Sequence, residues 1–268
     1  MGHTRLGSIP KSKKWSTVVG LFTAGGGIAA SDEALTNDVL KIANQTLEAA
    51  EVGLTRAIDD AGLGYAFYLL TQVVLAARSE SWENSLSSVG IKISEDASLF
   101  DFTVSVQNAI DDYLNEHAHP TDISEMAQQA VGEAISSISE TLQLNIFGNR
   151  KDELQAAIYE ISTKKGFSQI GQKFFGRFVT HFLNFYLSRI TAAHIGQNRL
   201  QQVGDISKFN DVLRLHCEQS ARIVYDFCGE WYSKTEFKEG INLDNTSRFM
   251  AVALKKLQSE LKVQRVEP

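Results

Sequence analysis

The chain has 268 residues, 43% hydrophobic and 22% charged, which excludes a disordered composition and is enough to bury a sizeable core. Its formal net charge is −6 and is segregated: residues 1–31 hold Arg5, Lys11, Lys13 and Lys14 with no acid, so that arm carries +4 and the remainder −10. An acidic body excludes a broad nucleic-acid footprint, which needs clustered Lys and Arg, and leaves the arm as the segment suited to phosphate or to an acidic partner.

Three prolines occur, Pro10, Pro120 and Pro268. Proline breaks a helix interior because it lacks an N–H and clashes with the preceding turn, so long helices can run almost throughout this chain. The expected fold is all-α: a compact multi-helix bundle over residues 32–268, forming one domain, preceded by a basic, partly irregular arm over residues 1–31.

In the arm, Trp15, Val18, Val19 and Phe22 follow i, i+3, i+4, i+7 and predict a short amphipathic helix. Lys11–Lys14 followed by Trp15–Ala30 loosely has the order of a signal peptide, but Ser16, Thr17, Thr23 and Gly25–Gly27 interrupt the apolar run. The glycines read as a linker, since no Gly-Lys-Ser/Thr follows them. No stretch approaches the roughly 20 apolar residues of a membrane span.

From Thr36, the stripe Leu40, Ala43, Leu47, Ala50, Leu54 and Ile58 predicts a helix ending near Gly62. Tyr65–Trp82 is apolar over most of its surface and predicts a helix central to the core. Val89–Ile93 has the composition of a short strand. Ser98 with Asp101 forms a capping-box signal ahead of a helix that stops before His117-Ala-His119-Pro120, and Asp122 with Glu125 repeats the signal. Asp152 starts another helix, closed by Lys164, Lys165 and Gly166. Phe167–Ile195 carries the strongest stripe (Phe167, Ile170, Phe174, Phe178, Phe182, Phe185, Ile190), with Gly196 as its cap. Ser207–Lys234 and Thr246–Val263 complete the chain.

Cys217 and Cys228 fall on one predicted helix, roughly 16 Å apart at the helical rise, beyond disulfide reach. They read as reduced thiols of a cytoplasmic protein.

Four side-chain groups carry possible chemistry. Arg177, His181, Asn184 and Ser188 align along the polar face of the phenylalanine-rich helix; every amphipathic helix has such a face, and here it suits a cleft or an interface. His117, His119, Asp122 and Glu125 are metal-ligating types, but their spacing straddles a proline turn and matches no ligand pattern. His216, Cys217 and Cys228 lack the paired spacing of a zinc site and read as buried. Arg189 and His194 form the fourth group. No Gly-x-Ser-x-Gly, His-Glu-x-x-His or dinucleotide fingerprint occurs, so no metal and no cofactor are expected.

Arg189-Ile-Thr-Ala-Ala-His194 resembles the Arg-x4–6-His motif of HEPN-type ribonucleases, which are helical and usually dimeric. The resemblance implies that Arg189 would stabilise phosphate charge and His194 would do acid–base or positioning work. The residue after the arginine is commonly polar in that family; here it is Ile190. With 6 histidines and 11 arginines in the chain, one such match arises by chance.

Two further stretches, Gly2-His-Thr-Arg-Leu-Gly-Ser-Ile-Pro-Lys-Ser-Lys-Lys-Trp15 and Phe227-Cys-Gly-Glu-Trp-Tyr-Ser-Lys-Thr-Glu-Phe237, resemble uncharacterised all-helical bacterial proteins that accompany multi-gene antiviral defence clusters. That resemblance covers about a tenth of the chain. It implies a non-catalytic partner of an ATPase or nucleic-acid enzyme, and it assigns no site residue. The reading that follows is an interaction subunit that meets a protein partner through Arg5, Lys11, Lys13, Lys14 and Trp15. The alternative is the helical ribonuclease. The sequence leaves the oligomeric state open.

Overall fold

A computed structural model of the chain describes residues 12–23, 32–142, 151–194, 200 and 202–263. Among them lie twelve helices and no strand: α1 (Lys13–Thr23), α2 (Asp32–Ala49), α3 (Glu51–Ala57), α4 (Ala61–Ala76), α5 (Trp82–Ser87), α6 (Leu99–His117), α7 (Asp122–Leu142), α8 (Lys151–Glu160), α9 (Lys164–Ala193), α10 (Val203–Ser220), α11 (Arg222–Glu239) and α12 (Leu243–Val263). The fold is an all-α bundle, as the stripes and the scarcity of proline imply. No helix among the described residues is long and apolar enough to cross a membrane.

Two helices organise the packing. α9 runs 30 residues and lies against α7, α10 and α11, with α1 and α2 also touching it. α4 packs on α7 and α12 and is flanked by α5, α6 and α8. They are joined through Phe67 of α4, whose ring lies 5.1 Å from Phe174, 5.3 Å from Phe175 and 5.6 Å from Phe249 of α12. Phe67, Phe167, Phe174, Phe175, Phe178 and Phe182 are all fully buried. Removing each ring from water stabilises the fold by about 1.5–3 kcal/mol, and tilted aromatic pairs add about 0.5–1.5 kcal/mol more.

Local signals set where the helices start. The Ser98 hydroxyl accepts from the Asp101 N–H at 3.2 Å, and the Asp101 carboxylate accepts from the Ser98 N–H at 3.0 Å, which is the expected capping box. The next box lies one residue earlier than Asp122 and Glu125 suggest. Thr121 caps α7, its hydroxyl accepting from Ser124 N–H at 2.9 Å while Ser124 Oγ accepts from Thr121 N–H at 2.8 Å.

Elsewhere the structure redraws the boundaries. Val89–Ile93 is a helix terminus rather than a strand: Ile91 N–H bonds the Leu86 carbonyl and Gly90 N–H bonds Ser87, with Gly90 at φ 84° where only glycine fits freely. Lys164, Lys165 and Gly166 open α9 instead of closing α8. Thr163 caps that start by accepting from Gly166 N–H at 3.0 Å. Ser207–Lys234 is two helices joined at Ala221, so Cys217 lies on α10 and Cys228 on α11 rather than on one helix. The stripe from Thr36 likewise splits at Ala50 into α2 and α3, and Tyr65–Trp82 resolves into α4 and the short α5. Gly196 lies outside the described residues; α9 closes with His194, whose N–H bonds the Thr191 carbonyl.

Residues 13–23 of the arm are a core helix. Trp15, Val18 and Phe22 are buried, Trp15 stacks on Tyr186 of α9 at 5.1 Å, and Phe22 meets Phe209 of α10 at 5.6 Å. Lys13 and Lys14 on the opposite side are exposed. Arg5 and Lys11 lie outside the described residues.

Candidate functional site

The polar face of α9 is where distant parts of the chain converge. Arg177 and His181 sit one turn apart, so both side chains leave the helix on one face. α7 supplies Glu133 from one side and α10 supplies Glu218 from the other. Arg177 Nη2 lies 3.3 Å from Glu218 Oε1, and Arg177 Nε faces Glu133 Oε2 at 3.1 Å as an ion pair, off the direction of a good hydrogen bond. His181 Nε2 and Glu133 Oε1 are 2.8 Å apart. Arg214 and Lys173 approach Glu218 at 3.5 and 4.0 Å.

Exposure falls toward the centre of this network. The Arg177 and Glu218 side chains are 17% and 18% exposed, against 42% for Glu133. Burial works against ionisation of Glu133. The hydrogen bond with His181, with the charges of His181, Arg177 and Arg214, outweighs it and holds the carboxyl below its usual range. With Glu133 ionised, the His181 Nε2 proton is the one it accepts. Glu218 further fixes α10 to α9 through its backbone carbonyl, which accepts from Gln172 Nε2 at 3.1 Å. Two carboxylates thus meet the cations of α9 from two sides, and the group clamps α7, α9 and α10 together. A groove of about 270 Å³ opens beside the clamp, with Ile138, Ile161 and Ile170 as an apolar floor and Lys173 and Glu218 at its rim. Asn184 and Ser188, further along the same stripe, do not join the cluster: Asn184 is half-buried and the Ser188 hydroxyl bonds back to the Phe185 carbonyl at 3.5 Å.

Arg189 and His194 have separate surroundings. Five positions along a helix are about 140° of rotation, so the two side chains start from different faces. The Arg189 guanidinium sits over the Phe185 ring at 5.0 Å. His194 Nδ1 lies 2.7 Å from the Ile190 carbonyl oxygen, and its ring lies against Phe22 at 6.5 Å. None of these contacts joins Arg189 to His194.

His117 stacks on Tyr113 at 5.0 Å and lies 3.9 Å from the Glu116 carboxylate; His119, Asp122 and Glu125 are exposed around the Pro120 turn. Among the described residues, no three His, Cys, Asp or Glu side chains gather as metal ligands do. His216, Cys217 and Cys228 are buried on two helices. Burial pushes the Cys217 thiol up to about 12, although a hydrogen bond with Thr180 opposes the shift; burial also raises Cys228.

A second groove lies where the basic segment enters the body. It encloses about 510 Å³ between α1, α2 and α12 and is lined by Thr17, Leu21, Lys41, Asn44, Gln45, Glu48 and Lys262. Lys14 reaches its edge, donating to the Glu48 carbonyl at 3.1 Å and pairing with Glu51 at 3.7 Å, and Lys262 meets the other Glu51 oxygen at 3.2 Å. The sequence reading named Lys13 and Lys14 but not the groove, because Lys41 and Lys262 lie far from them in the chain. Trp15, named with those lysines, faces the core. No family model, curated protein or solved structure matches this chain.

Proposed function

We propose that the chain is a non-catalytic interaction subunit of a cytoplasmic, multi-protein bacterial complex, and that its basic N-terminal segment meets an acidic partner. The observation that carries this reading is the two-sided use of α1. Its apolar side is locked into the core by Trp15, Val18 and Phe22, and its first turn presents Lys13 and Lys14 to solvent. Lys13 and Lys14, two of the four cations that give residues 1–31 a charge of +4 against −10 in the rest, are thereby held at a fixed place. Separated charge of this kind steers association and sets orientation more than it adds affinity. The resemblance of Gly2–Trp15 and Phe227–Phe237 to proteins of antiviral defence clusters supports an ATPase or nucleic-acid enzyme as the partner.

The test is native co-purification with the products of neighbouring genes. It compares the intact chain, a chain starting at residue 12, and the Lys11→Glu/Lys13→Glu/Lys14→Glu variant. We expect both altered chains to lose the partner while their melting temperatures stay close to that of the intact chain. Partner recovery that is unchanged in both overturns the reading.

A further inference from the structure

The α1–α2 groove has the chemistry of a peptide-binding site. Thr17 and Leu21 lie one turn apart and line one side of the groove from α1; Lys41, Gln45 and Glu48 recur at i, i+4, i+7 and line the other from α2, with Asn44 beside them. Lys262 of α12 closes the space. A volume of about 510 Å³ lies within the roughly 300–1,000 Å³ range of sites that enclose a ligand.

One lysine and two amides of this wall are uncommitted. Glu51 is already held by Lys262 and Lys14, whose hydrogen bond and charges keep its carboxyl below the usual range. Lys41 has no ion pair with any described residue. Along the groove and its edge Lys14, Lys41 and Lys262 outnumber Glu48 and Glu51, leaving one positive charge in surplus on an acidic body. Neither the Asn44 nor the Gln45 side-chain amide bonds a described residue, and Asn44 Oδ1 is shielded from water without a donor. A half-turn of that amide exchanges its oxygen and nitrogen, so Asn44 can present either a donor or an acceptor to the groove.

We propose that this groove binds an extended acidic peptide segment of the partner, with Asn44 and Gln45 bonding its backbone and Lys41 its carboxylates. The inference rests on the reading of the chain as an interaction subunit and names the site where the partner enters. A peptide fits better than a polyphosphate or nucleic acid. The described lining holds no arginine, Glu48 repels a continuous run of phosphates, and paired neutral amides match the alternating donors and acceptors of a peptide backbone.

The experiment is fluorescence anisotropy with the full chain at about 50 mM salt, where exposed charges are weakly screened. The probe is a fluorescein-labelled peptide of alternating glutamate and serine. We expect saturable binding. Lys41→Glu should weaken it by about tenfold or more, and Lys92→Glu, remote from the groove, should leave it unchanged. Asn44→Ala should weaken it at least about threefold with a melting temperature equal to or above that of the parent, since an unpaired buried acceptor is removed. Four results overturn the proposal: no saturation, equal affinity in Lys41→Glu and Lys92→Glu, unchanged binding with a lowered melting temperature in Asn44→Ala, or tighter binding of a thymidine oligonucleotide than of the peptide. If the chain starting at residue 12 loses the partner but Lys41→Glu leaves peptide binding intact, the groove assignment fails and the interaction reading stands.

Discussion

Gly229 lies where α11 meets the first turns of α9. A Cβ added there would run into the Lys164 carbonyl oxygen and Ser168 Oγ. The Ser168 hydroxyl already accepts from Gly229 N–H at 3.1 Å, and the carbonyl belongs to a backbone that is itself capped by Thr163. The carbonyl is backbone and cannot swing aside, and turning the hydroxyl away would give up its bond to Gly229. We expect Gly229→Ala to destabilise the fold by about 1–3 kcal/mol through overpacking. In a thermal melt that is several degrees, at about 2–4 °C per kcal/mol for a chain of this size. An unchanged melt would show that α11 shifts freely on α9. The neighbours of Gly229 have packing roles as well. Cys228 faces Gly171, Trp231 stacks on Phe249 at 4.2 Å, and Tyr232 stacks on Phe167 at 4.0 Å. Most of the stretch Phe227–Phe237 is therefore explained by how α11 seats on α9 and α12. Phe237 is the exception, 91% exposed at the end of the helix.

The clamp across α7, α9 and α10 makes acid stability a property of paired elements. Glu133 is held below its ordinary value in the folded chain, so its ionised form is favoured by folding. That contribution is present above the unfolded value of about 4.5 and is lost as pH falls through the depressed one. We expect Glu133→Gln to lower the melting temperature at neutral pH, with the gap to the parent closing as the solution is acidified below that range. A gap that stays constant down to strongly acidic pH would remove Glu133 from the clamp. Half of this cluster was legible in the sequence: Arg177 and His181 share a stripe because helical periodicity is local. Glu133 and Glu218 were not, because only tertiary packing brings residues more than 40 positions away to that face. The same distinction explains the element boundaries. The Ser98–Asp101 box could be read since both partners lie within four residues. Asp122–Glu125 imitates a box as well as Thr121–Ser124 does, so local chemistry left a one-residue choice. Lys-Lys-Gly reads as a helix end, and only the Thr163 bond to Gly166 reverses it. Ala221 carries no breaking signal at all, yet it divides α10 from α11.

For the whole molecule, α1 decides which deletions are informative. Trp15, Val18 and Phe22 are 5%, 0% and 1% exposed, so each buries nearly all of an apolar side chain, worth about 1.5–3 kcal/mol. Together they approach the total stability of an ordinary domain, about 5–15 kcal/mol. A chain starting at residue 24 should melt at a much lower temperature or lose its cooperative transition, and bind a hydrophobic dye; one starting at residue 12 should do neither. Equal melts for the two would mean that α1 is dispensable to the core. The same helix also has a consequence for biosynthesis. α1 leaves the ribosome before the helices it must pack against, and the Tyr186 ring under Trp15 is encoded 171 positions later. At the usual elongation rate of about 5–20 residues per second, the indole waits roughly 10–30 s for its neighbour. Throughout that interval an apolar helix face flanked by lysines is available to chaperones and to partners being made nearby, so assembly with a co-translated partner would begin at the end of the molecule that the finished fold ties down last.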